Sequence, residues 1–152
     1  MHYELINATV NNTTFVSIHL RFTDMKQHLK KVFNLPLPTK NYFEAAMVHM
    51  KRNILGEVLF LAFSDDRDSA ERLLGNLNPK LNIKFLDSMF SDGETLAIMS
   101  LAKGSILSHS TFGLWGALLR DKLDNIILPK EFRQTDIGYY FSSAKLSNVI
   151  YL

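Results

Sequence analysis

From Phe15 onward the chain alternates short apolar runs of β-forming residues with longer segments patterned as helices, and this alternation restricts the fold more than any other feature. It is the mark of a parallel sheet covered by helices. The runs place strands near residues 14–19, 57–63, 82–86, 105–109 and 125–128. Between them, Asn41 to Ile54 carries Phe43, Ala46, Met47, Met50 and Ile54 at helical spacing, with Glu44, Lys51 and Arg52 on the opposite face. Asp66-Arg67-Asp68-Ser69 opens a helix that runs through Leu73 and Leu74 and ends at Gly75-Asn76. Asp92-Gly93-Glu94-Thr95 opens another that closes at Lys103-Gly104, and a further one starts at Ser110-Thr111 and passes Trp115, Leu118 and Leu119. Acids in a first turn suit the positive end of the helix dipole. Pro36 and Pro38 mark a loop from Asn34 to Lys40, and Pro129 stops the fifth strand. The predicted fold class is α/β, a Rossmann-like doubly wound parallel sheet with helices on both faces. Residues 14–152 form its single domain, behind an Asn/Thr-rich lead-in of residues 1–13 with a short strand at Tyr3 to Ile6. The aromatic and polar mixture from Gly138 to Leu152 fits either a final helix or a strand.

A length of 152 residues suits one domain with a sizeable core. Hydrophobic residues at 47% and charged residues at 21% exclude disordered and fibrous classes. The formal charge of +2 is too small to make nucleic acid the expected partner. The charges are unevenly spread: residues 19–52 hold seven Lys/Arg against Asp24 and Glu44, a block that solvated helix faces alone can produce. No apolar run approaches the roughly 20 residues of a membrane span, so direct membrane insertion by this chain is not expected. The absence of cysteine excludes disulfides and Cys-based zinc sites. His2, His19, His28, His49 and His109 make no ligand pattern with nearby carboxylates, so no metal is expected. Gly-x-Gly-x-x-Gly, P-loop and Gly-x-Ser-x-Gly patterns are absent as well, which argues against dinucleotide dehydrogenases and serine hydrolases.

Three polar motifs follow three of the apolar runs. They are His19-Leu20-Arg21-Phe22-Thr23-Asp24, Ser64-Asp65-Asp66 and Ser110-Thr111-Phe112-Gly113-Leu114-Trp115-Gly116. In an open parallel sheet the ligand crevice lies beyond the carboxyl ends of the strands, so these motifs can converge on one ligand. Ser110 and Thr111 at a helix start suit a phosphate, since the first turn leaves amide donors free, although an ordinary N-cap uses the same residues. Arg21 can clamp a diphosphate through its guanidinium, or it can pair with Asp24 or water at the surface. Asp65 and Asp66 can accept from ribose hydroxyls or a guanine edge, or cap the helix that follows. His19 fits a packed, hydrogen-bonded histidine, and Phe112, Leu114 and Trp115 fit core positions.

Taken in order, these residues resemble the α-1,2-fucosyltransferase family, of the glycosyltransferase family 11 type. The family pattern His-x-Arg-Arg-x-Asp is approximated by His19 to Asp24, and its Phe-Ser-Asp-Asp element stands as Phe63-Ser64-Asp65-Asp66. Glu94-Thr95-Leu96-Ala97-Ile98-Met99-Ser100 is similar to its acidic/Leu-x-x-Met-Ser segment. Its Asn-Ser-Thr-Phe-x-Trp-Trp-Gly-Ala signature is matched by His109 to Ala117, and its Ile-x-Pro-Lys by Ile127-Leu128-Pro129-Lys130. The departures are Phe22 for the second arginine, His109 for Asn and Leu114 for the first Trp.

The resemblance implies the donor-binding half of a GT-B-like fold. Its donor would be GDP-L-fucose, with fucose transferred under inversion to the 2-hydroxyl of a terminal galactose, and with no metal or further cofactor. Arg21 and Asp24 are the catalytic candidates it implies. Arg21 would bind the diphosphate, and Asp24 would either orient Arg21 or take the acceptor proton. Ser110, Thr111 and Phe112 would share the donor site with His19, and Asp65 or Asp66 would hold guanosine. The partners implied are a nucleotide sugar and a galactose-terminated glycan. Eukaryotic members carry an amino-terminal Golgi anchor, which implies the Golgi lumen or membrane for a chain of that origin, while a cytoplasmic location fits a chain without one. The competing reading is a noncatalytic nucleotide-sugar binding or interaction module that keeps the fold without the second arginine.

Overall fold

The computed structural model describes residues 14–77, 81–86, 90–143 and 148–152. Six strands, β1 (Thr14–Leu20), β2 (Val58–Ser64), β3 (Asn82–Phe85), β4 (Gly104–Leu107), β5 (Ile126–Leu128) and β6 (Val149–Tyr151), form one sheet in the order β3-β2-β1-β4-β5-β6. Every neighbouring pair is parallel. The helices are α1 (Met25–His28), which runs on into a π-helical turn at Leu29–Phe33, then α2 (Lys40–Asn53), α3 (Arg67–Leu74), α4 (Asp92–Ser100), α5 (Thr111–Leu118) and α6 (Asp136–Ser143). A 3-10 turn at Lys130–Gln134 joins β5 to α6.

The doubly wound parallel sheet expected from the alternation is therefore the fold. The five expected strands from residue 14 onward are present with ends shifted by no more than two residues, while the short strand expected at Tyr3 to Ile6 lies outside the described residues. The carboxyl end supplies both a helix, α6, and a strand, β6.

Side chains alternate across a strand, and each face of this sheet meets its own helices. Val16, Ile18 and Leu20 of β1 join Phe60 and Ala62 of β2 in a core closed by Phe43, Met47 and Met50 of α2 and Ala70 and Leu74 of α3. Phe15, Leu59, Leu61 and Phe63 point the other way, onto Ile98 and Met99 of α4 and Leu114 and Ala117 of α5. Helices of eight residues, such as α3 and α5, fall below the length of about 12–15 at which isolated helices become stable. Burial on the sheet holds them. Each fully buried Leu, Ile or Phe contributes roughly 1.5–3 kcal/mol, which outweighs helix propensity. Close approach also matters: a β-carbon on Gly116 of α5 would lie 2.6 Å from Met99 Cε, so glycine lets α4 and α5 meet.

Caps fix where the helices begin. Asp66 accepts from the Ser69 amide at 3.0 Å to start α3, and Ser110 accepts from the Gly113 amide at 3.3 Å to start α5. Ser91 and Glu94 form a reciprocal capping box at α4. At the amino end of the sheet, buried Arg120 donates through Nη2 to the Lys103 carbonyl (3.1 Å), the Asp124 carbonyl (2.7 Å) and Asp124 Oδ1 (3.0 Å). Ser17 and Ser105 pair beside it at 3.0 Å. That end is thus tied shut by polar contacts between the lead-ins to β4 and β5. Among the described residues no helix is long and apolar enough to cross a membrane.

Candidate functional site

β1 lies between β2 and β4, so the chain winds outward to β3, then crosses back to build the other half of the sheet from β4. Where the winding reverses, neighbouring carboxyl-end loops leave in opposite directions and open a crevice. The loops after β1 and β4 meet there. The Ser108 amide donates to the His19 carbonyl at 3.0 Å, and the Arg21 amide donates to Ser108 Oγ at 3.0 Å.

The loop after β2 is tied in by one side chain. Asp65 accepts from the Phe22 amide at 2.9 Å, from the Thr23 amide at 3.1 Å and from the Thr23 hydroxyl. Arg21 Nε sits 2.9 Å from Asp24 Oδ1 and 3.3 Å from Asp65 Oδ2. Burial pushes the Asp65 carboxyl up, but the Thr23 and Phe22 hydrogen bonds and the Arg21 charge outweigh it and leave it below the ordinary carboxylate value. The Arg21 hydrogen bond lowers Asp24 likewise, and both partners raise Arg21, Asp24 foremost. Asp65→Asn keeps the shape but weakens two amide bonds, and it is expected to lower unfolding free energy by about 1–2 kcal/mol in urea titrations. A variant as stable as the parent would show that these bonds do not hold the loop.

Asp66 faces elsewhere. Its Oδ1 caps α3 and its Oδ2 accepts from the Ser69 hydroxyl at 2.7 Å. Phe22 also turns away from Arg21: it packs against the α2/α3 core and borders a shallow cavity with Lys26, Leu37, Asp66 and Arg72.

His19 is buried beneath the first turn of α5, where a β-carbon on Gly113 would lie 2.8 Å from its Cγ and Nδ1. Its ring tilts against Phe112, with centroids 5.5 Å apart. Burial lowers its pKa to about 4, a shift that nearby Asp65 opposes and Arg21 reinforces. Gly113→Ala should force the imidazole and α5 apart, costing about 1–3 kcal/mol by the usual penalty for overpacking. Thermal unfolding measures it, and a neutral result would mean the helix start has slack.

Two cavities flank the start of α5. The first, about 310 Å³, is bordered by His19, Arg21, Asp65, Phe90, Asp92 and Phe112. The second, about 300 Å³, is bordered by Asp24, Met25, His28, His109, Ser110 and Thr111, with Phe33, Phe132 and Thr135 behind them. Of the residues expected at the site, His19, Arg21, Asp65 and Phe112 meet on one cavity and Asp24, Ser110 and Thr111 on the other, while Asp66 reaches neither. The Arg21–Asp24 ion pair bridges the two. Amides at the start of α5 precede its first intrahelical bond and carry the positive end of its dipole, suiting an anion between the cavities. Among the described residues no three His, Asp or Glu side chains gather as a metal site.

Sequence reasoning missed the walls of the second cavity. Met25, Leu29 and Phe33 recur at a spacing of four, a helical signal, while Phe132 and Thr135 arrive through a 3-10 turn that leaves no periodicity.

A six-stranded parallel sheet in this order, with a guanidinium and a helix start at its switch point, defines a Rossmann-like α/β domain. Comparison with known proteins is more specific: residues 2–152 match the model of glycosyl transferase family 11, and the chain belongs to that family. It is 30% identical over 128 residues to the O-antigen biosynthesis glycosyltransferase WbnK of Escherichia coli, covering 83% of this chain and 40% of that protein. It is 24% identical over 117 residues to an alpha-1,2-colitosyltransferase of Escherichia coli, covering 76% of this chain and 40% of that protein. The chain thus spans two fifths of the length of these relatives. Both are bacterial and give no support to a Golgi location.

Proposed function

We propose that this chain is the donor-binding part of a glycosyltransferase that moves L-fucose from GDP-fucose to the 2-hydroxyl of a terminal galactose. The observation that carries the reading is the meeting of Arg21 and the start of α5 at the crevice between β1 and β4. The α-1,2 linkage is supported by the name of one relative, an alpha-1,2-colitosyltransferase. In this reading guanosine occupies the cavity between His19, Phe90 and Phe112, and the diphosphate lies across Arg21 toward Ser110 and Thr111.

Transfer with inversion forms a bond from the acceptor oxygen to the fucose anomeric carbon while the bond from that carbon to the β-phosphate oxygen breaks. The electron pair leaves with GDP, and the proton of the acceptor hydroxyl passes to solvent water as the new bond forms. In this reading Arg21 and the α5 amides offset the charge that grows there, the type of interaction that contributes most in such reactions. Asp24 is read as the residue that orients Arg21, because a carboxylate held below its ordinary pKa is a weak general base. Asp65 is read as the residue that shapes the Arg21 loop. No metal or other cofactor enters this scheme.

Phe22 supports a second reading, a noncatalytic nucleotide-sugar binding module, since a single arginine remains in the motif after β1. Calorimetric titration with GDP and GDP-fucose tests what the two readings share, and no binding at millimolar ligand overturns both. Incubation with radiolabelled GDP-fucose and lactose tests the second. Labelled trisaccharide overturns the noncatalytic module, whereas donor binding without product is the result that this module and a donor-binding part assayed alone both give.

A further inference from the structure

His109 is the feature of the crevice that the donor reading leaves unused. It leaves β4 just before the Ser110 cap, is only 3% exposed, and borders the second cavity. Its ring tilts toward Phe132 with centroids 6.0 Å apart. Among the described residues neither Nδ1 nor Nε2 has a hydrogen-bond partner. A neutral imidazole has one donor and one acceptor, and leaving both unpaired inside a protein is unfavourable unless something fills the space beside them.

The cavity itself indicates what fits. Its lining combines apolar Met25, Phe33 and Phe132 with polar Asp24, His28 and Thr111, while the Thr135 hydroxyl is already engaged by the Phe132 carbonyl and the Gly138 amide. At about 300 Å³ it lies at the small end of ligand sites and is large enough for a single pyranose ring. A ligand with an apolar face and a rim of hydroxyls, each able to donate and accept, matches both the wall and the imidazole.

We propose that this second cavity is a pyranose subsite and that His109 hydrogen-bonds a hydroxyl of the sugar ring seated in it. The inference rests on the donor reading above, because the Arg21–Asp24 pair places this cavity beside the end of a diphosphate whose nucleoside occupies the first one. The same hydroxyl chemistry is offered by the fucose of the donor and by the galactose of the acceptor. His109 acts here as a binding residue, with no proton-transfer role.

The test is NMR of the isotope-labelled imidazole nitrogens together with calorimetry on the whole chain. GDP alone is expected to bind and to leave the His109 nitrogen signals in place. GDP-fucose moves them if the subsite takes the donor sugar, and lactose added to the GDP-bound chain moves them if it takes the acceptor. His109→Phe, which keeps a ring against Phe132, is expected to bind GDP as the parent does and to bind the effective sugar about fivefold more weakly, the loss of one hydrogen bond. Should the variant fail to fold, the signals of the parent chain decide. GDP binding with signals unmoved by either sugar overturns the subsite and leaves the donor reading standing, whereas failure of GDP itself to bind overturns the donor reading and this inference with it.

Discussion

Replacing Arg21 by alanine is expected to weaken GDP binding about ten- to a hundredfold, roughly 1.5–3 kcal/mol, the range for charge-assisted hydrogen bonds. The fold should scarcely register the change. Arg21 is partly exposed and its pair with Asp24 is a surface ion pair, a type that contributes at most about 1 kcal/mol. Asp65 keeps its bonds to the Phe22 and Thr23 amides in this variant, so the loop stays where it is. Arg21→Lys discriminates further, since lysine restores the charge without the planar fork. Calorimetry gives the dissociation constants and urea unfolding the stabilities. An unchanged constant in a folded Arg21→Ala protein would remove Arg21 from the site.

The second large effect is a loss of stability in mild acid. His19 titrates at about 4 in the folded protein against 6.5 unperturbed, so between these values the unfolded chain binds a proton that the folded chain refuses. Stability contributed by the neutral ring is therefore present above pH 6.5 and falls as pH drops toward 4, by on the order of 3 kcal/mol in total. His109, lowered chiefly by its burial, pushes in the same direction. Asp65 has the sign of a lowered carboxylate: its contribution is intact above its ordinary value of 3.8 and disappears only as pH falls below that, so it adds a later step. Urea midpoints measured from neutral pH to about pH 4, with His19 followed by NMR, check the sequence of events. A flat profile down to pH 4, or a His19 that titrates near 6.5, would mean that the imidazole is not held neutral under α5.

The central strands were legible because each is a short run of apolar, β-forming residues bounded by polar or turn residues, and Val58 to Phe63 leaves little choice. β6 was not, since Val149-Ile150-Tyr151 is too short to declare itself and is made a strand by pairing with Ile126, Ile127 and Leu128. α1 did carry a helical spacing in Met25, Leu29 and Phe33, but only four α-helical residues precede the π-helical turn, which Asn34 ends with φ 54°. At the site, Arg21 and Ser110 could be placed from their positions just beyond strands. What Asp65 and Asp66 do could not, because the difference between tying a loop and capping a helix lies in rotations that leave no trace in a dipeptide. Arg120 gave no signal either: a lone arginine after a helix reads as surface, and burial against Lys103 and Asp124 is a tertiary event.

Asp65, Asp66 and Ser110 spend their polar atoms on the protein itself, tying a loop and starting two helices. Selection for a folded chain is enough to keep them. On the proposed donor reading, a descendant that abandoned sugar transfer would still display two of the three motifs, held by its scaffold rather than by its chemistry. Arg21 has no such protection, since among the described residues its head group is held by exposed Asp24 and by Asp65, which has other partners. On the same donor reading, drift at this one position across a lineage would mark where transfer has been given up.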